Sequence, residues 1–556
     1  MHWAIADGPH GGVTVVPVDP EGAPAGPVLS YPHPADAVRH HPTADRWIWP
    51  STAAFYPRLL DAGITVPRCH DLEAAEAILL GHEGMWGLPR SLAAAWARLR
   101  GLPVPDDPPP RSFGGEPEPT LFDAAPARPH GTDDLHALLA VHAAQQRRIA
   151  ASAHPHRLRL LVAAESAGML VAAEMHRAGL PWRADVHDAL LTELLGGRYP
   201  GGLEPPRLAG LADEVSRAFG ERVRPDLPAE VVRAFRKAGV RLTSTRKWEL
   251  QDIDHPAVAP LLEYKKLYRL HTAHGWSWLQ TWVHDGRFRP EYLPGGAMSG
   301  RWTTHGGGAL QIPRVVRRAV VADEGWRLVV ADADQMEPRV LAAVSRDAGL
   351  MAAADGTRDL YEALADRAFA GGRAEAKLAL LGAIYGQTSG DALTYLADLR
   401  RRFPAAVAYV DEAARAGEEG RLVRSHLGRT CAPTRAADHG EAGLPQEGDG
   451  DGATGRAGAE ARARGRFTRN FVVQASAAEW ALCLLAALRQ ELAGMRAELV
   501  FFQHDEVIVH CPAAEAPAVE KALTAASARA GEVMFGRTPV VFSFTTAVVQ
   551  CYADAK

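Results

Sequence analysis

The stretch "FFQHDEVIVHCP" at residues 501–512 allows few local structures. Phe501 and Phe502 precede His504, Asp505 and Glu506, and Val507, Ile508 and Val509 follow. Two short apolar, β-favouring runs around three polar residues predict a tight β-hairpin with its charges at the tip. Adjacent carboxylates on a rigid turn repel each other unless a cation neutralises them. A hairpin of this kind therefore implies a cation at its tip and something for that cation to act on.

A second strand-end carboxylate offers a partner. "WRLVVADADQMEPRVLAAVS" opens with the buried-strand run Leu328, Val329, Val330, Ala331 and reaches Asp332. The pattern predicts a helix starting near Glu337, with Pro338 tolerated in its first turn. If Asp332 and Asp505 converge, two Mg²⁺ ions about 3.5–4 Å apart would offset their charge and support in-line phosphoryl transfer. The plain alternative for either aspartate alone is a turn or a helix cap.

Phosphoryl transfer needs cations on the phosphate side. "GGRAEAKLALLGAIYGQTSG" places Arg373, Lys377, Leu381 and Tyr385 at intervals of four, one slowly drifting helix face. Only seven of the 61 basic residues are lysines, so Lys377 stands out in a chain that otherwise uses arginine. Gly382 and Gly386 are poor choices for a helix interior and suit close approach by another group. "RFTRNFVVQASAAEWALCLLAAL" repeats the spacing with Arg466, Asn470 and Gln474, a stripe that is either solvated or lines a groove. "SGRWTTHGGGALQIPRVVRRAV" adds Arg301, Arg314, Arg317 and Arg318, suited to nucleic-acid phosphate.

The remaining sequence sets the frame. At 556 residues the chain has room for two to four domains. A net charge of −5 speaks against nonspecific basic binding but leaves room for a local basic groove. Five scattered cysteines without a CxxC pair predict neither disulfides nor a zinc cage. No apolar run is read as a membrane span of roughly 20 residues, and "MHWAIADGPH" lacks a secretory-leader pattern. The expectation is a cytoplasmic, nucleoid-associated protein with no membrane partner. Residues 101–131 are rich in Pro and acidic residues and read as a linker or surface loop. Residues 437–465 read as a low-complexity insertion.

From about residue 156 to the C-terminus, these segments in this order resemble family A DNA polymerases, the DNA polymerase I type. "VVADADQMEPRVLAAVS" is similar to motif A at Asp332, Gln335, Glu337 and Arg339; "RAEAKLALLGAIYG" to motif B at Arg373, Lys377, Gly382, Tyr385 and Gly386; and "QHDEV" to motif C. "SGRW…LQIP", "RFTRNFVVQASAAE" and "HPAVAPLLEYKKLYRL" resemble the segments around primer, template and thumb.

The resemblance implies an α/β multidomain chain, a small ribonuclease H-like domain followed by a right-hand polymerase of thumb, palm and fingers. The implied divisions are 1–132 for a degenerate 3′–5′ exonuclease-like domain with its linker, 133–290 for the helical connection and thumb, 291–345 for the first part of the palm, 346–490 for the fingers and 491–556 for the second part of the palm. It implies Asp332, Asp505 and the Ala333 carbonyl as ligands of two Mg²⁺ ions, for which Mn²⁺ can substitute. Arg373 and Lys377 would hold the triphosphate, with Lys377 donating a proton to pyrophosphate. Gln335, Glu337, Leu381 and Tyr385 would line the nucleotide site, Glu337 excluding a 2′-hydroxyl. Arg301, Gln311, Arg339, Arg466, Asn470, Gln474 and His504 would contact primer–template DNA. The implied reaction is addition of dNTPs to a primer 3′-hydroxyl by a monomer, in repair or gap filling.

The sequence departs from the family at Ala333 and Asp334, where Tyr and Ser are usual, and at Leu380 and Leu381, where Asn and Phe are usual. In the N-terminal region Asp7 is followed by Gly and Pro without an Asp-x-Glu, Phe55 falls where an aspartate is expected, and His130 where a tyrosine is. Only Asp134 remains of a site that needs about four carboxylates, so the exonuclease is expected to be inactive. The rival readings are a noncatalytic primer–template binding protein, a single-subunit RNA polymerase and a metal-dependent nuclease.

Overall fold

The computed structural model describes residues 1–8, 12–19, 22–109, 134–198, 204–309, 312–356, 359–368, 372–386, 392–432 and 453–555, without the side chains of 367–368, 385, 392–396 and 453–457. The chain divides into two compact units. One comprises residues 1–177, 291–303 and 331–546, the other residues 178–290, 304–330 and 547–556.

The first unit opens with a five-stranded sheet. Its strands are β1 (His2–Asp7), β2 (Val13–Val18), β3 (Leu29–Tyr31), β4 (Arg46–Trp49) and β5 (Cys69–Asp71), in the order β3-β2-β1-β4-β5. β1 pairs antiparallel with β2 and parallel with β4. This is the ribonuclease H-like arrangement expected of the N-terminal domain. Alternate residues of β1 divide between two cores. Trp3 and Ile5 join Phe55, Tyr56 and Leu59 of helix α1 (Thr52–Asp61). Ala4 and Ala6 join Leu72 of α2 (Leu72–His82) and Leu135, Leu138 and Val141 of α3 (Asp134–Ala150). The boundary placed at residue 132 thus falls differently: α3 buries its apolar stripe against the sheet, and α4 (Pro155–Ala178) supplies Leu170 and Ala173 to the first core.

A second sheet has two of its strands wholly in the same unit and the ends of two others. It is built from β6 (Trp326–Ala333), β7 (Glu498–Gln503), β8 (Glu506–Pro512) and β9 (Phe544–Val549), in the order β7-β8-β6-β9. Helix α5 (Met336–Ser345) follows β6 directly. Then come α6 (Leu360–Ala368), α7 (Arg373–Tyr385), α8 (Ala392–Arg402), α9 (Pro404–Glu418), α10 (Ala453–Glu491) and α11 (Ala516–Phe535). Within α10 an apolar window reaches a mean hydropathy of 1.7, enough by length and composition to cross a membrane, yet 83% of it is buried inside the protein. Trp480, fully buried, stacks on Phe542 at 4.7 Å, and Leu482 packs where Gly168 of α4 has no side chain. The apolar run is a core helix.

Arg489 on α10 anchors the N-terminal sheet domain. It forms a half-buried ion pair with Glu174 of α4 at 2.7 Å and donates to the Val66 and Pro67 carbonyls at 2.6 and 2.9 Å. Tyr56 of α1 donates to the same glutamate.

The second unit is mainly helical, with helices Ala184–Leu195, Pro206–Phe219, Pro228–Lys237 and Val258–His274. One core gathers Val215, Phe235, Leu250 and Leu261; another is an aromatic cluster of Trp182, His187, Trp278 and Phe288. Arg317, read from sequence as a phosphate contact, lies over the Tyr552 ring at 4.3 Å. All five cysteines are free thiols.

Candidate active site

The hairpin expected at 501–512 is present. Gln503 pairs with Glu506, leaving His504 and Asp505 as a two-residue turn, and His504 takes the left-handed φ of 56° that so tight a connection favours. Phe501, Val507, Ile508 and Val509 are fully buried, so the turn is held by a rigid base. The Ala333 N–H donates to the Asp505 carbonyl at 2.9 Å. That bond sets the end of β6 beside the hairpin turn, so Asp332 and Asp505 lie at the same end of the sheet. Both are half-buried.

The turn after β6 is unusual. Gln335 has φ 46°, and α5 begins at Met336, one residue before the expected start. Asp334 accepts hydrogen bonds from Ser543 Oγ at 2.9 Å and Thr545 Oγ1 at 2.7 Å. The extra carboxylate at this position is thus tied to the neighbouring strand.

Arg339, expected at the primer–template, is only 1% exposed, and its guanidinium donates to the carbonyls of Asp334, Ala354 and Val541 and, at 3.4 Å, to Gln335 Oε1. Burial lowers its pKa, and the Asp334 charge opposes that fall most. Its guanidinium thus brackets the strand-end turn through backbone oxygens.

Glu337 on α5 forms an ion pair with Arg301, which is itself half-buried. His504 is exposed, and its imidazole is held below the ordinary range by desolvation first and by the Arg301 charge second. Three residues expected around the sugar and the primer terminus are therefore neighbours.

On α7 the helix geometry sorts the side chains. Ala376, Ala379, Leu380, Ala383 and Ile384 are buried, Arg373 and Lys377 are exposed, and Leu381 is half-buried beside them. Gly386 ends the helix at φ 69°, and a Cβ there would meet Arg469 at 3.3 Å. The Tyr385 side chain and Gln311 lie outside the described residues. Arg373 is ion-paired with Asp359 at 3.0 Å and sits over the Tyr361 ring at 5.6 Å. Neither partner was found from sequence. "RDLYEALA" carries a helix N-cap signal at Asp359, but no local pattern says which distant side chain a cap will also hold.

On α10 Arg466 is exposed, while Asn470 and Gln474 are half-buried. Asn470 Oδ1 is buried and has no hydrogen-bond partner among the described residues, so the stripe presents a polar atom that a ligand could satisfy. Arg469 fastens α10 to α7 through the Ala383 carbonyl at 2.8 Å.

Two carboxylates and a backbone carbonyl are all-oxygen donors, the chemistry that hard divalent cations prefer. Among the described residues no group of three His, Cys, Asp or Glu side chains is arranged to hold a metal ion. Two carboxylates fit a cation of the Mg²⁺ kind, which keeps waters and takes further ligands from substrate phosphates.

The remnant exonuclease positions carry a different arrangement. Asp7 at the end of β1 is ion-paired with Arg58 of α1 at 3.0 Å, and Arg58 lies over the Phe55 ring at 5.5 Å. Phe55 is 2% exposed in the core. His130 lies outside the described residues.

The sequence model of DNA polymerase family A matches residues 226–547. The chain is 29% identical over 327 residues to DNA polymerase I of Chloroflexus aurantiacus, covering 53% of this chain and 32% of that protein. It is 27% identical over 365 residues to the thermostable DNA polymerase I of Thermus aquaticus, covering 60% and 41%. The aligned region thus spans about a third to two fifths of these relatives. Among solved structures, the POL domain of Pol1 from M. smegmatis, in complex with DNA primer-template and dNTP, superposes with a TM-score of 0.69 at 18% identity, over 100% of this chain and 95% of that one.

Proposed function

Because this chain belongs to DNA polymerase family A, we propose that it extends a primer 3′-hydroxyl with dNTPs under the direction of a template strand. The observation that supports this reading is the 2.9 Å bond from the Ala333 N–H to the Asp505 carbonyl, which brings the backbone of the strand end beside the hairpin turn. Asp332 and Asp505, with the Ala333 carbonyl, would hold Mg²⁺ or Mn²⁺, two ions in the full reading. When bound, such ions lower the pKa of the attacking hydroxyl and neutralise charge on the phosphates.

The chain's own groups do the rest. Arg373 and Lys377, on the exposed face of α7, bind the triphosphate. Lys377 gives a proton to the departing pyrophosphate, which an ammonium does more readily than a guanidinium. Glu337, held by Arg301, closes the sugar site to a 2′-hydroxyl, while Gln335, Leu381 and Tyr385 complete it. Arg301, Gln311, Arg466, Asn470, Gln474 and His504 contact primer and template, the orphaned Asn470 Oδ1 being the group most in need of a donor.

The N-terminal domain is a scaffold without 3′–5′ exonuclease activity, because Arg58 neutralises Asp7 where a metal would be needed. The setting we infer is repair or gap filling at the nucleoid, by a monomer.

Primer extension with Mg²⁺ and either dNTPs or rNTPs tests the reading. Templated incorporation of dNTPs alone is expected. Tight primer–template binding with no incorporation would leave a noncatalytic binding protein, and preference for rNTPs an RNA polymerase.

A further inference from the structure

We propose that Asp359 is a positioning residue for the triphosphate site, presenting Arg373 in an ordered pose and coupling it to the turn that follows Asp332. The proposal rests on the reading of Arg373 as a triphosphate ligand.

One carboxylate joins three elements. Asp359 Oδ1 accepts from the Glu362 N–H at 3.1 Å and so caps α6. Its Oδ2 accepts from Gln335 Nε2 at 3.1 Å and from Arg373 Nη2 at 3.0 Å. Gln335 stands in the left-handed turn three residues after Asp332, and its Oε1 accepts from the buried Arg339. A continuous path therefore runs from the strand end through Arg339, Gln335 and Asp359 to α7. Arg373 is about half exposed whereas Asp359 is 22% exposed, so the carboxylate is the fixed partner.

The consequence follows from how a long side chain binds an anion. A free arginine loses rotamer freedom when a phosphate captures it, and that loss weakens binding. Arg373 is tethered at one nitrogen and lies over Tyr361, so part of that ordering precedes the nucleotide. A guanidinium has five N–H donors, so the tether leaves others for phosphate oxygens. Asp359 also places a negative charge near the incoming triphosphate. That charge is offset by Arg373 itself and, at partial exposure, screened by water.

The simpler reading makes Asp359 an N-cap and nothing more. Asparagine caps as well as aspartate, so Asp359→Asn keeps the cap through its one amide oxygen while replacing the oxygen that accepts from Gln335 and Arg373 with an amide nitrogen and removing the charge that holds Arg373. Steady-state primer extension by the full chain would compare wild type, Asp359→Asn, Arg373→Ala and the double variant, alongside melting temperatures. Asp359→Asn is expected to raise KM for all dNTPs by about three- to tenfold, with kcat changed by less than about twofold. In the Arg373→Ala background it should add nothing, because the residue acts through Arg373.

A KM that is unchanged or lowered in Asp359→Asn, or additive effects in the double variant, would overturn the proposal. An unchanged KM in Arg373→Ala would instead remove Arg373 from the triphosphate site, and the proposal with it. If Asp359→Asn lowers the melting temperature, Asp359→Ser, another capping residue without charge, makes the same comparison.

Discussion

In the proposed reading Asp332 and Asp505 act as a pair, and that makes them the sharpest residues to test. Removing either carboxylate leaves one where a cation needs two, while duplex binding rests on many separate phosphate contacts. Asp332→Ala and Asp505→Ala should each abolish primer extension and largely preserve DNA binding in a filter or anisotropy assay. Extension within about threefold of wild type in either variant would remove the assignment. Leu381 is half-buried on the face that carries Arg373 and Lys377. A flat ring there would add an aromatic contact, typically worth about three- to tenfold in an equilibrium. Leu381→Phe should lower KM for dNTPs by that amount. An unchanged KM with a lower melting temperature would place Leu381 in the core, where a ring overpacks. Arg339 shows the limit of reading single residues. Its position resembles motif A, yet its neighbours are backbone oxygens from its own strand-end turn and from residues 354 and 541.

Helix α10 carries two burdens along its length, a polar stripe at 466, 470 and 474 and a buried carboxylate at Glu479. Glu479 accepts a hydrogen bond from Ser425 Oγ and another from the Leu427 N–H at 3.0 Å. Burial nevertheless pushes its pKa from 4.5 to about 7, with the Ser425 bond and Arg429 pulling the other way. A carboxyl whose folded pKa is raised holds its proton more tightly in the native state, so protonation favours folding. Its contribution is therefore fully present below pH 4.5 and is lost as pH rises through about 7. The size is ~3 kcal/mol for a fully buried group. Glu479→Gln should flatten the fall in stability between those pH values, measured by urea unfolding in a pH series. A slope identical to wild type would show that Glu479 is ionised in the native state. Helix periodicity made the stripe legible, but the burial of Glu479 depends on the 425–429 loop, which no local pattern connects to α10.

For the molecule taken together, the N-terminal domain packs within the same compact unit as residues 331–546, and the proposed reading makes it a scaffold without nuclease activity. Arg489, Glu174 and Tyr56 join it to α10, and breaking such a half-buried pair on one side leaves an uncompensated charge. The arrangement suits a scaffold. With Asp7 neutralised by Arg58 and Phe55 in the core, the protein should not shorten a 3′-mismatched primer in Mg²⁺. A 3′ resection that disappears in Asp7→Ala would overturn this, whereas resection unaffected by that change would point to a contaminating nuclease.

What the sequence determined by itself was local or strongly patterned. The hairpin within 501–512, the strand ending at Asp332 and the helix over 373–385 follow from apolar periodicity and turn chemistry, while the ribonuclease H-like sheet was what the family resemblance implied. The six motifs in order carried the family. Tertiary structure decided the partners: Asp359 for Arg373, Glu337 for Arg301, backbone carbonyls for Arg339, the hydroxyls of Ser543 and Thr545 for Asp334, and the N-terminal sheet for α3. The reason is one of range. Hydrogen bonding along a strand or helix is set by residues within a few positions. The partner of a long charged side chain is whichever group the fold delivers within about 3 Å of its end.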